Sequence, residues 1–436
     1  MKKIIYILVT FSLFVTFTGC SDDDYSSKYL DPSKVTSVSI PNLMNGTFMR
    51  MRDYSTYGYY RFFAFDPIFV GKFAQSFGHG VGADMYESGY SGYTEGQFGS
   101  VYTTMMDYKM LVSLYEEASD EDKKNFESFK LATEVHYFDF LLAAVDLYGD
   151  MPYSEACRLP LEKDLAVAQP VYDKAEDIYS DVLDKLKVCA ERFNSSDLVQ
   201  YGNFSTQDFI CMGDFNKWAR YANSVRLRAA LRISEYGSLA EKGKSIIAEI
   251  VGNPGQYPLI ETNDKNVFLR NDHTGELNLR PGGFDWVSCR RASGAIVDRM
   301  LSKGNYRAVD SKYVEGTGTY VEGVDDPRIL LLYSMRGIAE AKDGKVTTYR
   351  GAQDFCYPDV QKGVTTESSI NPIFDDGKPV TLFFSGVDVG ATVDDVSYYD
   401  DGGISEVVQD GFFWNNGNFE HVQMTASEVL FAKAEA

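Results

Sequence analysis

The stretch 126–156, FESFKLATEVHYFDFLLAAVDLYGDMPYSEA, constrains what this chain can fold into more than any other. Leu131, Val135, Phe138, Leu142 and Val145 recur at steps of four and three, the spacing that gathers side chains on one face of an α-helix. Ala132, Ala143 and Ala144 beside that stripe leave room for a neighbouring helix to approach. Asp120 opens an acidic first turn that suits the helix dipole, and Gly149 followed by Pro152 supplies the stop. A second helix of the same design lies at 214–236, where Trp218, Ala222, Val225, Ala229 and Ile233 repeat at four, three, four and four. Such a chain is expected to build its core from paired, alanine-spaced helices.

The rest of the N-terminal half fits that expectation. Helices are predicted over 36–52, 100–118, 123–148, 172–193, 205–235 and 238–251, with Pro254 and Pro258 closing the block. Their recurrence in pairs reads as degenerate tetratricopeptide-like units, each burying its neighbour's apolar face. The expected fold class is therefore mostly α, with a helical repeat scaffold over 36–260. Two stretches interrupt it. The aromatic block 54–65 reads as buried between helices, and the Gly-rich stretch 76–99, which holds Tyr86, Tyr90 and Tyr93 without helical period, reads as a loop presenting aromatics. After Leu259 the texture changes: residues 261–421 are rich in Gly, Asp, Asn and Tyr, with short apolar runs and one clearly helical piece, 294–303. This is read as a long irregular excursion with short strands, laid against the scaffold. Residues 422–436 read as the start of a further helix, so the chain is expected to stop short of its last helices.

Residues 1–20, MKKIIYILVTFSLFVTFTGC, combine a Lys-Lys start, an apolar run from Ile4 to Thr18 and a small residue before a cysteine. That is a signal peptide over 1–19, too short for a comfortable membrane span. Its Phe17-Thr18-Gly19-Cys20 ending resembles a bacterial lipobox, which implies that Cys20 becomes the first mature residue and carries lipid, anchoring the protein without a spanning helix. Ser21-Asp22-Asp23-Asp24 then opens an acidic, flexible tether over 20–35, and this cluster resembles the surface-export signal of lipoproteins from glycan-foraging diderm bacteria.

Charge and motif content narrow the chemistry. With 42 Lys+Arg against 63 Asp+Glu, the net charge of −21 repels nucleic acid and anionic lipid. The five cysteines after Cys20 (157, 189, 211, 289 and 356) include no CxxC pair, which suggests neither a zinc site nor a disulfide framework. Four histidines, at 79, 136, 273 and 421, show no metal-ligand spacing; His136, on the long helix, reads as a packed structural residue. No nucleophile elbow and no phosphate-binding loop occur, and the acidic pairs Asp394-Asp395 and Asp400-Asp401 lack calcium-loop spacing. No cofactor is expected. A carboxylate pair for glycoside hydrolysis is not visible in sequence, because the separation that defines it is spatial.

A sugar site asks instead for flat aromatics with polar side chains beside them. Aromatics make up 14% of the chain, and two places combine the two residue types. In NLRPGGFDWVSCRR, Trp286 follows a Gly-Gly turn with Asn278, Arg280, Asp285, Arg290 and Arg291 near it. In GFFWNNGNF, Trp414 is bracketed by Phe412, Phe413, Asn415 and Asn416. Trp218 lies on a helix stripe and is expected in the core. The candidate ligand contacts are thus Trp286, Trp414, Tyr86, Tyr90, Tyr93, Arg280, Asn278 and Arg290.

The runs YFDFLLAAVDLYGDMPYSEA and FNKWARYANSVRLRAALRIS resemble the SusD/RagB family of nutrient-capture lipoproteins. So do Asp326-Pro327-Arg328, Tyr349-Arg350-Gly351 and the terminal MTASEVLFAKAEA. The resemblance implies a non-catalytic, surface-exposed outer-membrane lipoprotein that binds an oligosaccharide and acts as lid to a SusC-like TonB-dependent transporter. Peptide capture by the same architecture, or a lipid-tethered hydrolase, are the other expectations. Family members vary their binding residues with ligand, so the resemblance assigns none of the contacts above.

Overall fold

In a computed structural model, the structure describes residues 38–55, 74, 91–269, 293–300, 336–342, 345–350, 381–383 and 421–436. Its scaffold is a stack of helices: α1 (Ile40–Ser55), α2 (Ser91–Glu117), α3 (Asp120–Tyr148), α4 (Ala175–Phe193), α5 (Phe215–Ile233) and α6 (Ala240–Gly252). A two-residue link turns α2 back onto α3, and α1 packs on both. Further on, α4 joins α3 to α5, and α6 covers α5 from outside the pair. The fold class is mostly α, as the sequence implies.

The ends of α3 are those its sequence signals. Ser119 caps it, its Oγ accepting the Asp122 N–H at 3.2 Å, and Asp120, Glu121 and Asp122 form the acidic first turn. Gly149 closes it at φ +71°, its N–H reaching Val145 O at 2.8 Å. Leu131, Val135, Phe138, Leu142 and Val145 are all buried, but so are Tyr137, Phe140 and Leu141. The helix is central, packed on several sides, because α1, α2, α4 and α5 all meet it. On α5, Trp218, Ala222, Val225, Ala229 and Ile233 are buried as the stripe requires, and Phe48 and Phe193 both stack on Trp218. Gly243 on α6 sits where an added Cβ would lie 2.7 Å from Ala230 O, so α5 and α6 touch backbone to backbone. No described helix is long and apolar enough to cross a membrane.

Four expectations need correction. The helix expected over 36–52 runs over Ile40–Ser55. The stretch 76–99 is not loop throughout: α2 begins at Ser91, so Tyr93 lies on a helix. The helix expected over 205–235 is broken into one turn, Phe204–Gln207, and α5. The break is built by Asp208, a fully buried carboxylate that accepts Ile210 N, Cys211 N and Gly213 N and the Trp218 indole N–H. Met212 and Gly213 turn through positive φ, +57° and +78°, to present those N–H groups. Finally, helical character does not return at 422. Residues His421–Met424 form strand β5, and helix α8 spans Ala426–Glu435.

That last strand changes how the excursion is attached. β5 pairs antiparallel with β1 (Val267–Leu269), with Leu269 opposite His421 and a bulge between Val267 and Phe268. The pair sets residues 269 and 421, the two ends of the intervening stretch, side by side. Within the excursion the described elements are α7 (Gly294–Met300) and a three-stranded antiparallel sheet, β2 (Arg336–Lys342) flanked by β3 (Lys345–Arg350) and β4 (Thr381–Phe383).

Candidate functional site

The residues nominated as ligand contacts are placed as follows. Trp286, Trp414, Tyr86, Tyr90, Arg280, Asn278 and Arg290, and the lipidation site Cys20, lie outside the described residues. Tyr93 is in the first turn of α2. What the structure does describe is the base from which the excursion springs.

One face of α5 holds both limbs of that base. On the outgoing limb, Arg220 Nη1 donates to Leu259 O at 2.6 Å and Asn223 Nδ2 to Pro258 O at 3.2 Å, while Ile260 N donates to Ser224 Oγ at 3.1 Å. These bonds fix residues 258–260, which a 3-10 turn, Asn263–Lys265, joins to β1. On the returning limb, Arg228 Nη1 donates to Glu428 Oε1 at 3.0 Å and lies 3.9 Å from Met424 Sδ. Its other nitrogen, Nη2, donates to Asp139 on α3. Two further bonds close the base: Ala426 N to Asn266 Oδ1 at 2.7 Å and Lys433 Nζ to Glu261 Oε1 at 2.6 Å. Val267, Leu269, Met424, Ala426 and Val429 are buried in the main core beneath.

Asp139 belongs to a polar chain through the helices. Tyr221 Oη donates to Asp139 Oδ2 at 2.6 Å, so it accepts from His136 Nδ1, 3.3 Å away. The imidazole therefore carries its proton on Nδ1, and its Nε2 is buried with no hydrogen-bond partner. Burial pushes the His136 pKa down to about 4, so the ring is neutral at physiological pH. Burial also works against the Arg228 charge, but the Asp139 and Glu428 carboxylates outweigh it and hold its pKa above the ordinary arginine value. Burial, with Asp139 next, raises the Tyr221 pKa well above a phenol's usual value. His136 is thus the structural residue expected, and Trp218 is core.

The other buried titratable groups are similarly engaged. Glu134 accepts from Lys130 at 2.6 Å and lies 3.5 Å from Cys189 Sγ, whose pKa burial raises well above normal. Cys157, Cys189 and Cys211 take part in no disulfide. Lys109 spans from α2 to the loop after α3, donating to the carbonyls of Tyr153, Ser154 and Ala156 at 2.6–3.0 Å. Asp173 takes the other side of that loop through Tyr153 N, Ser154 N and Ser154 Oγ. Among the described residues, no group of three or more His, Cys, Asp or Glu side chains is arranged to hold a metal ion.

A family model for SusD-like proteins, described as starch-binding associating with outer membrane, matches residues 70–436. The chain belongs to the SusD-like family. Solved structures agree with that assignment at the level of fold. A chitin-binding protein superposes with a TM-score of 0.60 at 17% identity, covering 91% of this SusD-like chain and 70% of its own. A SusD homologue from Parabacteroides distasonis gives 0.59 at 17% identity, with 91% and 68% covered. A chitin-binding SusD homologue from Flavobacterium johnsoniae gives 0.51 at 14%, with 89% and 64% covered. The chain spans about two thirds of the length of these proteins. No curated protein sequence matches it.

Sequence reasoning missed the base of the excursion. Its signal was present: Asp139 stands alone as a charge inside YFDFLLAAV, and Arg226 and Arg228 interrupt the apolar run of VRLRAAL. A charge in such a run is kept only where a partner meets it. That the partner of Arg228 lies 200 residues further on, at Glu428, was not readable.

Proposed function

We propose that this chain is a lipid-anchored, surface-exposed protein that captures an oligosaccharide and delivers it, unchanged, to a SusC-like TonB-dependent transporter, over which it acts as lid. The observation that carries this reading is the β1–β5 pair, which sets the two ends of the aromatic-bearing stretch 270–420 side by side against the helical scaffold, where binding segments are commonly mounted. Two structural relatives are chitin-binding proteins, which favours a glycan as the ligand class. Capture without turnover is supported by the commitment of the buried groups Glu134, His136 and Asp208 to bonds that hold helices and turns together. Lipid anchoring rests on Cys20 and its lipobox, and exposure on the acidic cluster that follows.

Trp286 and Trp414 are the residues assigned to stacking on a pyranose face, with Asn278, Arg280 and Arg290 beside Trp286 for hydroxyl groups. The test is calorimetry of the chain lacking residues 1–20 against chitohexaose, maltohexaose and xylohexaose, with a tryptic peptide mixture alongside. Saturable binding to a hexaose without product formation, lost in Trp286→Ala or Trp414→Ala, is the expected result. Binding of peptides alone would move the ligand class to protein nutrients, and release of shorter sugars would replace capture by hydrolysis.

A further inference from the structure

We draw no further inference here: the strongest candidate, the surface carrying the exposed Leu147, Val171 and Tyr172 at the end of the helical stack where α3 stops and α4 begins, carries nothing, because nothing in the structure shows what covers it.

Discussion

Replacing Asp208 by Asn sets two effects of one buried carboxylate against each other. Its Oδ1 accepts Ile210 N and Cys211 N at 3.1 and 2.9 Å, and its Oδ2 accepts Gly213 N and the Trp218 indole N–H at 2.8 and 2.7 Å. Burial raises its pKa even against the lowering by these bonds, so the ionised form still carries a desolvation cost that an amide would remove. The amide, however, is a donor on one side. Whichever way it is turned, its NH2 faces two of these N–H groups. At about 1.5–3 kcal/mol for each bond to a charged acceptor, the loss is about 3–6 kcal/mol. Relief of the desolvation cost and local relaxation reduce this to about 2–4 kcal/mol, within the range of severe single substitutions. At about 1 °C for each kcal/mol in a chain of this length, the melting temperature should fall by roughly 2–5 °C. Urea unfolding followed by far-ultraviolet circular dichroism measures it. The pH dependence gives an independent check. Because the folded-state pKa is raised, the wild type gains stability as pH falls from 7 towards 4, so its advantage over the Asn variant should widen in acid. A variant within about 0.5 kcal/mol of wild type, or an advantage that narrows, would refute this account of the turn.

His136 makes the opposite prediction. Its pKa of about 4 in the fold lies below the ordinary 6.5, so the unfolded chain takes up a proton first and stability is lost as pH falls from 6.5 towards 4. The loss is at most about 3 kcal/mol from this group, and urea unfolding of His136→Gln should show a correspondingly flatter profile between pH 7 and 4.5. Gly243→Ala should destabilise by about 1–3 kcal/mol in calorimetry, because the new methyl meets the backbone of Ala230 and Ser234, which cannot swing aside. Cys20→Ala should leave the protein in the soluble fraction after cell lysis; a variant still sedimenting with membranes would remove the anchor from this residue.

The sequence by itself determined the helical scaffold and its family, because both rest on local signals. A stripe such as Leu131–Val145 is a statement about one helix, and the Gly149 stop and the acidic first turn opened by Asp120 act within a turn of their own positions. It determined likewise that Trp218 and His136 are interior, since each sits on or beside such a stripe. Tertiary structure decided the rest, for reasons of distance along the chain. Asp208 breaks a helix that periodicity continues, because burial lets one carboxylate satisfy four donors and so makes the break more stable than another turn. Residues 421–424 became a strand because β1, more than 150 residues earlier, offers them an edge, and propensity over four residues is too weak to resist it. Arg228 meets both its carboxylates only when α3, α5 and α8 come together around it. A helix stripe needs one turn of sequence to be read, but a bridge between three helices exists only once they are packed.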